Sequence, residues 1–158
     1  PVSLDIRYES NPKYQWAYNG DENYAITYGR LYTYYTTNDI RNVCPTGWHV
    51  PNNDEWVSLF NFLGGESIAG GKLKETGIIH WKEPNTGATD AIGFKALPGG
   101  YRTGSGYFFD IKNTGKWWSK TISGIGSAYG IIIYYDNINI VSYNNDFPNG
   151  LSIRCIKD

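Results

Sequence analysis

Cys44-Pro45-Thr46-Gly47-Trp48-His49-Val50-Pro51-Asn52-Asn53-Asp54-Glu55-Trp56 is the stretch on which the reading of this chain turns. It holds one of only two cysteines and the clearest helix start. Cys44 to Gly47 reads as a turn that swings the chain into Trp48. Pro51 sets the backbone ahead of a helix, Asn52 is its N-cap, and Glu55 three residues later completes a capping box. Asp54 and Glu55 suit the positive end of the helix dipole. Trp56, Leu59, Phe60 and Leu63 recur at helical spacing, and Gly64-Gly65 stops the run. Together these signals predict a helix over 53–63.

The second cysteine is Cys155, near the end of the chain. Two cysteines this far apart are not spaced like a zinc ligand set. Paired, they close a loop of roughly 110 residues and restrict the unfolded chain by about 4–5 kcal/mol, a feature of oxidising compartments. Unpaired, they are two buried thiols. The residues alone leave both readings open.

A chain of 158 residues fits one domain with a real core. Its 14 Lys+Arg against 15 Asp+Glu form no basic stripe or acidic tail, which argues against nucleic acid or a charged membrane surface as partner. No apolar run approaches the roughly 18 residues of a membrane span. The chain opens at Pro1 with neither Met nor signal peptide, so we expect a mature or trimmed fragment whose leader or anchor lies outside it. The 14 Tyr and 19 Gly, with many Asn and Ser, match an adaptable binding surface. A Tyr-rich β-protein has the same composition.

Pro1 to Asn23 reads as an irregular lead-in with a short strand near 14–18, and the lead-in as a whole is taken as 1–27. Tyr28 to Thr37 is rich in β-formers and holds a strand or a helical turn. A second, shorter helix covers Ser67 to Glu75, weakened by Gly70-Gly71. Turns follow at Pro84-Asn85-Thr86-Gly87 and Pro98-Gly99-Gly100. Strands are expected at Phe94–Leu97, Tyr107–Ile111 and Lys116–Lys120. The end of the chain reads as a three-stranded meander. Its strands are Ala128–Tyr135, Ile138–Tyr143 and Leu151–Ile156, with a turn at Asp136-Asn137 and a polar loop over Asn144–Gly150.

An ordered set of motifs runs through the chain: Tyr-Gly-Arg-Leu-Tyr (28–32), Cys-Pro-Thr-Gly-Trp-His-Val-Pro (44–51), Ala-Gly-Gly-Lys-Leu-Lys-Glu-Thr-Gly (69–77), His80-Trp81, and Pro-Asn-Thr-Gly-Ala-Thr (84–89). It continues with Gly93-Phe94, Ala-Leu-Pro-Gly-Gly-Tyr-Arg (96–102), Trp117-Trp118-Ser119 and Ser-Ile-Arg-Cys (152–155). This set closely resembles the Fibrobacter succinogenes major paralogous domain, found in exported bacterial proteins, over about Tyr28 to Asp158. The resemblance implies an α+β, C-type-lectin-like fold: two helices, a small twisted antiparallel sheet and long loops. It also implies that Cys44 pairs with Cys155. The same fold serves the variable proteins of diversity-generating retroelements, in which C-terminal strands and loops carry the diversified contact residues. The residue types between Gly130 and Asp146 fit that use, being reachable from an Asn codon by changing its adenines. They are also ordinary residues of a β-meander.

On this reading the domain is a non-enzymatic binding or adhesion domain, extracellular or on a cell surface or phage virion. Its partner is a protein or glycan on another cell or host surface. The expected contact residues are Gly130, Ile132, Tyr134, Asp136, Asn137, Asn139, Ser142, Asn144, Asn145, Asp146 and Trp118. Of Ile131 and Ile132, only one should be core, because adjacent strand residues face opposite ways. The alternative is a fixed carbohydrate-binding module that stacks sugars on Trp117 or Trp118 and on loop Tyr rings. No catalytic residue and no required cofactor is expected. Glu83-Pro84-Asn85 spells the mannose-type motif of calcium-dependent lectins, so Ca²⁺ is the one candidate ion. The partner motif of that site is missing. His49 and His80, each beside a Trp, read as packing residues rather than metal ligands.

Overall fold

Capping and turn chemistry divide the chain much as expected. The structure, a computed structural model, describes residues 15–158. In chain order its elements are β1 (Gln15–Trp16), α1 (Glu22–Tyr28), β2 (Leu31–Tyr32), β3 (Trp48–His49), α2 (Asn53–Phe62), α3 (Glu66–Leu73), β4 (Tyr101–Arg102), β5 (Phe108–Phe109), β6 (Thr114–Gly124), β7 (Ser127–Tyr134), β8 (Ile140–Asp146) and β9 (Ile156–Lys157). The fold is α+β. Its antiparallel sheets pair β1 with β2, β3 with β9 and β4 with β5, and run β6-β7-β8 in the largest.

The capping box forms as read. The Glu55 N–H donates to Asn52 Oδ1 at 2.9 Å, and the Asn52 N–H donates to Glu55 Oε2 at 2.8 Å. Two donors that a helix start leaves orphaned are thereby satisfied. The cysteines form the Cys44–Cys155 disulfide, with a Cα–Cα distance of 5.8 Å across 111 residues of sequence. Next to it, β3 pairs with β9 through Trp48↔Lys157 and His49↔Ile156, so the two ends of the loop are closed by backbone as well as by sulfur.

Several expectations are corrected. The lead-in contains a third helix, α1, capped by Asp21, whose side chain accepts from the Asn23 N–H. Its sequence carries no apolar stripe, which is why periodicity missed it. The strand expected near 14–18 shortens to β1, and residue 14 lies outside the described residues. Phe94–Leu97 contributes one bridge, Ala96 to Lys74, rather than a strand. Asn144–Asp146 continues β8 instead of opening a loop.

The meander itself is composed differently. Its third strand is β6, not Leu151–Ile156. The C-terminal segment lies on the other edge of β6. There the Trp118 N–H donates to the Ser152 carbonyl at 3.0 Å, and the Ser152 N–H donates to the Lys116 carbonyl at 2.9 Å. The 11-residue β6 forms a long ladder with β7, which a chain end pinned at Cys155 beside β3 does not match.

One face of the large sheet is covered by helices, and the other in part by segments from elsewhere in the chain. On one, Trp117, Ile131, Ile133 and Ile140 pack with Trp56, Phe60 and Leu63 from α2 and its cap, and with Ala69 and Leu73 from α3. On the other, Trp118 and Ala128 sit with Tyr34 and Leu151. Each of the buried Leu, Ile and Phe side chains contributes about 1.5–3 kcal/mol. Both Ile131 and Ile132 are buried, which overturns the expectation that only one of them is core. Among the described residues, no helix is long and apolar enough to cross a membrane.

Candidate functional site

The register of the sheet decides where the expected contact residues go. Lys116, Ile132 and Val141 lie in one row across β6, β7 and β8, and Trp118, Gly130 and Tyr143 in the next row on the same face. Trp118 is fully buried, and its indole N–H donates to the Tyr32 carbonyl at 2.6 Å. Ile132 is 4% exposed and Asn145 6%, and Gly130 lies beneath Asn145 and Leu151. These four therefore offer no outward side chain, contrary to the sequence reading. For Trp118 the cause is the second layer over this face, supplied by Tyr34, Leu151 and Phe147, while Ile132 lies one row on, between Lys116 and Val141. Ser142 stands opposite Ile131, on the helix-covered side, and its hydroxyl is buried without a partner.

The remaining residues split into two groups. Tyr134, Asp136, Asn137 and Asn139 sit at the β7–β8 turn. Asn144 and Asp146 lie toward the far end of β8, roughly 20 Å away at the rise of a strand. Tyr134, Asp136, Asn139, Asn144 and Asp146 are exposed, but they do not form one patch.

A residue the sequence reading did not single out holds the turn. Lys74, at the end of α3, is fully buried, and its ammonium donates to the carbonyls of Thr86 at 2.7 Å, Asn137 at 2.9 Å and Tyr134 at 3.1 Å. The ring of Trp81 lies beneath it, 5.5 Å away. Within the turn the Asn139 N–H donates to Asn137 Oδ1 at 3.0 Å. The Gly71 N–H donates to the Ile138 carbonyl, also at 3.0 Å. A buried cation bonded to three carbonyls is well paired, so it stabilises an irregular backbone as a bound metal ion does.

Beside the turn is a second buried lysine with a different environment. Lys116 is 8% exposed; its ammonium lies 3.4 Å from the centroid of the Tyr101 ring and 5.2 Å from that of Tyr143. Burial pulls its pKa down to about 8, and Asp110 opposes the shift. Tyr101 stacks at a tilt on Phe109, with centroids 5.7 Å apart at 33°. Phe109, Tyr134 and Val141 are exposed around this group. Burial raises the phenol pKa of Tyr134, and the carboxylates of Asp110 and Asp136 add to the effect. Burial likewise raises Tyr101 and Tyr143, and the Asn145 side chain opposes the shift at Tyr143. The available signal was Lys116 standing two residues before Trp118, hence on its face of the strand. Tyr101 comes from a distant segment and had no local signal.

The other chemistry weighed from sequence is engaged elsewhere. Asn85 is buried, and its amide donates to the carbonyls of Gly77 at 2.6 Å and Glu75 at 2.9 Å. Among the described residues, no group of three or more His, Cys, Asp or Glu side chains is arranged to hold a metal. His49 bridges Asp158 at 2.6 Å and Glu55 at 2.8 Å, and these hydrogen bonds raise its pKa. His80 meets Glu75 at 2.6 Å and sets its ring edge-on to Tyr28.

The family model described as the Fibrobacter succinogenes major domain matches residues 3–157. The match takes in most of the lead-in, which the resemblance read from the motifs left out. No curated protein and no solved structure matches the chain. Over nearly its whole length, this chain belongs to the Fibrobacter succinogenes major domain family.

Proposed function

We propose that this is a non-enzymatic ligand-binding or adhesion domain of C-type-lectin-like type, working outside the cell. Its contact surface is the Tyr134 end of the large sheet with the adjoining β7–β8 turn. One observation carries the reading. Exposed Phe109, Tyr134 and Val141 surround the Tyr101–Lys116 pair, beside a turn that the buried Lys74 holds in place. Tyr rings supply broad apolar area and a hydroxyl at little entropic cost, and a fixed backbone beneath them keeps that cost low. The Cys44–Cys155 disulfide supports an oxidising location.

The test is capture of cells or surface extracts by the immobilised domain. Tyr134→Ala and Asp136→Ala should reduce capture, while Asn144→Ala at the far end should not. Equal loss from all three would reject this end of the sheet as the contact surface. Diversification belongs to the same reading, since Tyr134, Asp136 and Asn139 are exposed on a pinned turn. A reverse transcriptase gene near a close copy of the last codons would support it.

A fixed carbohydrate-binding module is the second reading. The buried Trp117 and Trp118 cannot stack sugars, but the tilted Tyr101–Phe109 pair offers an aromatic platform. A glycan array read with and without chelator separates calcium-dependent from calcium-independent recognition.

A further inference from the structure

We propose that Lys116 is a carboxylate subsite, and that the ligand of this face is a sugar bearing one carboxylate. The inference rests on the binding reading above, in its carbohydrate form.

The two buried lysines of the domain differ in what their ammonium groups meet. Lys74 has three carbonyl acceptors within 3.1 Å. Lys116, almost as buried, has the faces of Tyr101 and Tyr143, and no acceptor among the described residues lies within hydrogen-bond distance. Ring faces stabilise a cation but take none of its three N–H donors in a conventional hydrogen bond. The ammonium is only partly withdrawn from water: its nitrogen still reaches solvent, so an ionised acceptor can meet it there in a charge-assisted hydrogen bond. The Tyr143 hydroxyl, also buried, is a second polar group of the same cluster.

Charge at the rim restricts the anion. Asp110 is near enough to act on Lys116, Tyr101 and Tyr134, and Asp136 acts on Tyr134. A dianion such as a phosphate monoester would be repelled by both, whereas one carboxylate is balanced by the lysine. The rings choose the rest of the ligand. Tyr101 and the exposed Phe109 form a tilted platform next to the ammonium. The C–H face of a pyranose covers such a platform, and a single acidic side chain leaves it bare.

The test is NMR titration of the intact domain with glucuronate, glucose and N-acetylaspartate amide, following the ring signals of Tyr101 and Tyr134. Glucuronate should bind at least about tenfold more tightly than glucose, the scale of one charge-assisted hydrogen bond. Lys116→Met should abolish that preference, and Lys116→Arg should retain part of it. In the unmodified protein, the Lys116 side-chain signals should shift with glucuronate and not with glucose, a measurement independent of any variant's folding. Glucose binding equally well, or a preference surviving in Lys116→Met, overturns the carboxylate subsite but leaves the binding reading intact. N-acetylaspartate amide matching glucuronate overturns the sugar assignment. If no probe moves these signals the subsite is rejected, and the capture experiment with Tyr134→Ala still judges the wider reading.

Discussion

The ammonium of Lys74 donates to the carbonyl of Asn137 at 2.9 Å, tying the end of α3 to the turn between β7 and β8. The same ammonium holds Thr86 and Tyr134, so three segments share one cation. Lys74→Met keeps the apolar stem but strips three part-buried carbonyls of this donor. The expected loss is about 2–4 kcal/mol in urea unfolding, with faster amide exchange over 135–139. An unchanged urea midpoint would show the turn holding itself.

Gly70 should respond against its usual sign. In an exposed helix, Gly to Ala gains up to about 1 kcal/mol. Here a Cβ would collide with the carbonyl of Asn139, where α3 packs directly on the start of β8. Gly70→Ala should therefore destabilise by about 1–3 kcal/mol, read from the thermal midpoint. Sequence reading counted Gly70-Gly71 only as a weakness of the helix. The structure shows why small residues stand there, because a Cβ at Gly71 would also collide, at 2.6 Å, with the carbonyl oxygen of Gly87.

Opening the Cys44–Cys155 bridge frees a loop spanning 111 residues. On loop-closure entropy the Cys44→Ala/Cys155→Ala double variant should lose about 3–5 kcal/mol. The paired backbones of β3 and β9 remain, so the fold should persist at low temperature with an earlier urea midpoint. Reduction of the unmodified protein by dithiothreitol should reproduce that shift.

His49 supplies a pH dependence with a defined sign. Hydrogen bonds that its ring donates to Asp158 and Glu55 raise its pKa above the ordinary 6.5. The folded state then holds the proton more tightly than the unfolded chain does. That contribution is fully present below 6.5 and disappears as pH rises through the raised value. His49→Gln should therefore cost more stability below that pH than in mildly alkaline buffer. Urea curves at the two pH values check this, and an equal cost at both would count against the ion pairs.

How far the chain could be read by eye depended on the range of the forces involved. The start of α2 was legible because Asn52 and Glu55 satisfy each other's backbone across three residues. Its stop at Gly64-Gly65 and the short α3 were equally local. The third strand of the large sheet was not legible. Both β6 and the C-terminal segment have strand composition, and only the assembled ladder chose between them. The site was legible in part: Tyr134 and Asp136 were named, while Lys116 and Tyr101 meet only across the tertiary structure.

By itself, the sequence determined the α+β class, the principal helix with its caps, and through its ordered motifs the family and the cysteine pairing. All of these rest on residues close in the chain or on a pattern carried whole. Tertiary structure alone decided which side chains of the late strands face water. Whether a sheet's second face is covered depends on Tyr34, Leu151 and Phe147, which arrive from other parts of the chain. It also decided the fates of two similar lysines: Lys74 is enclosed by carbonyls, and Lys116 is left on aromatic faces.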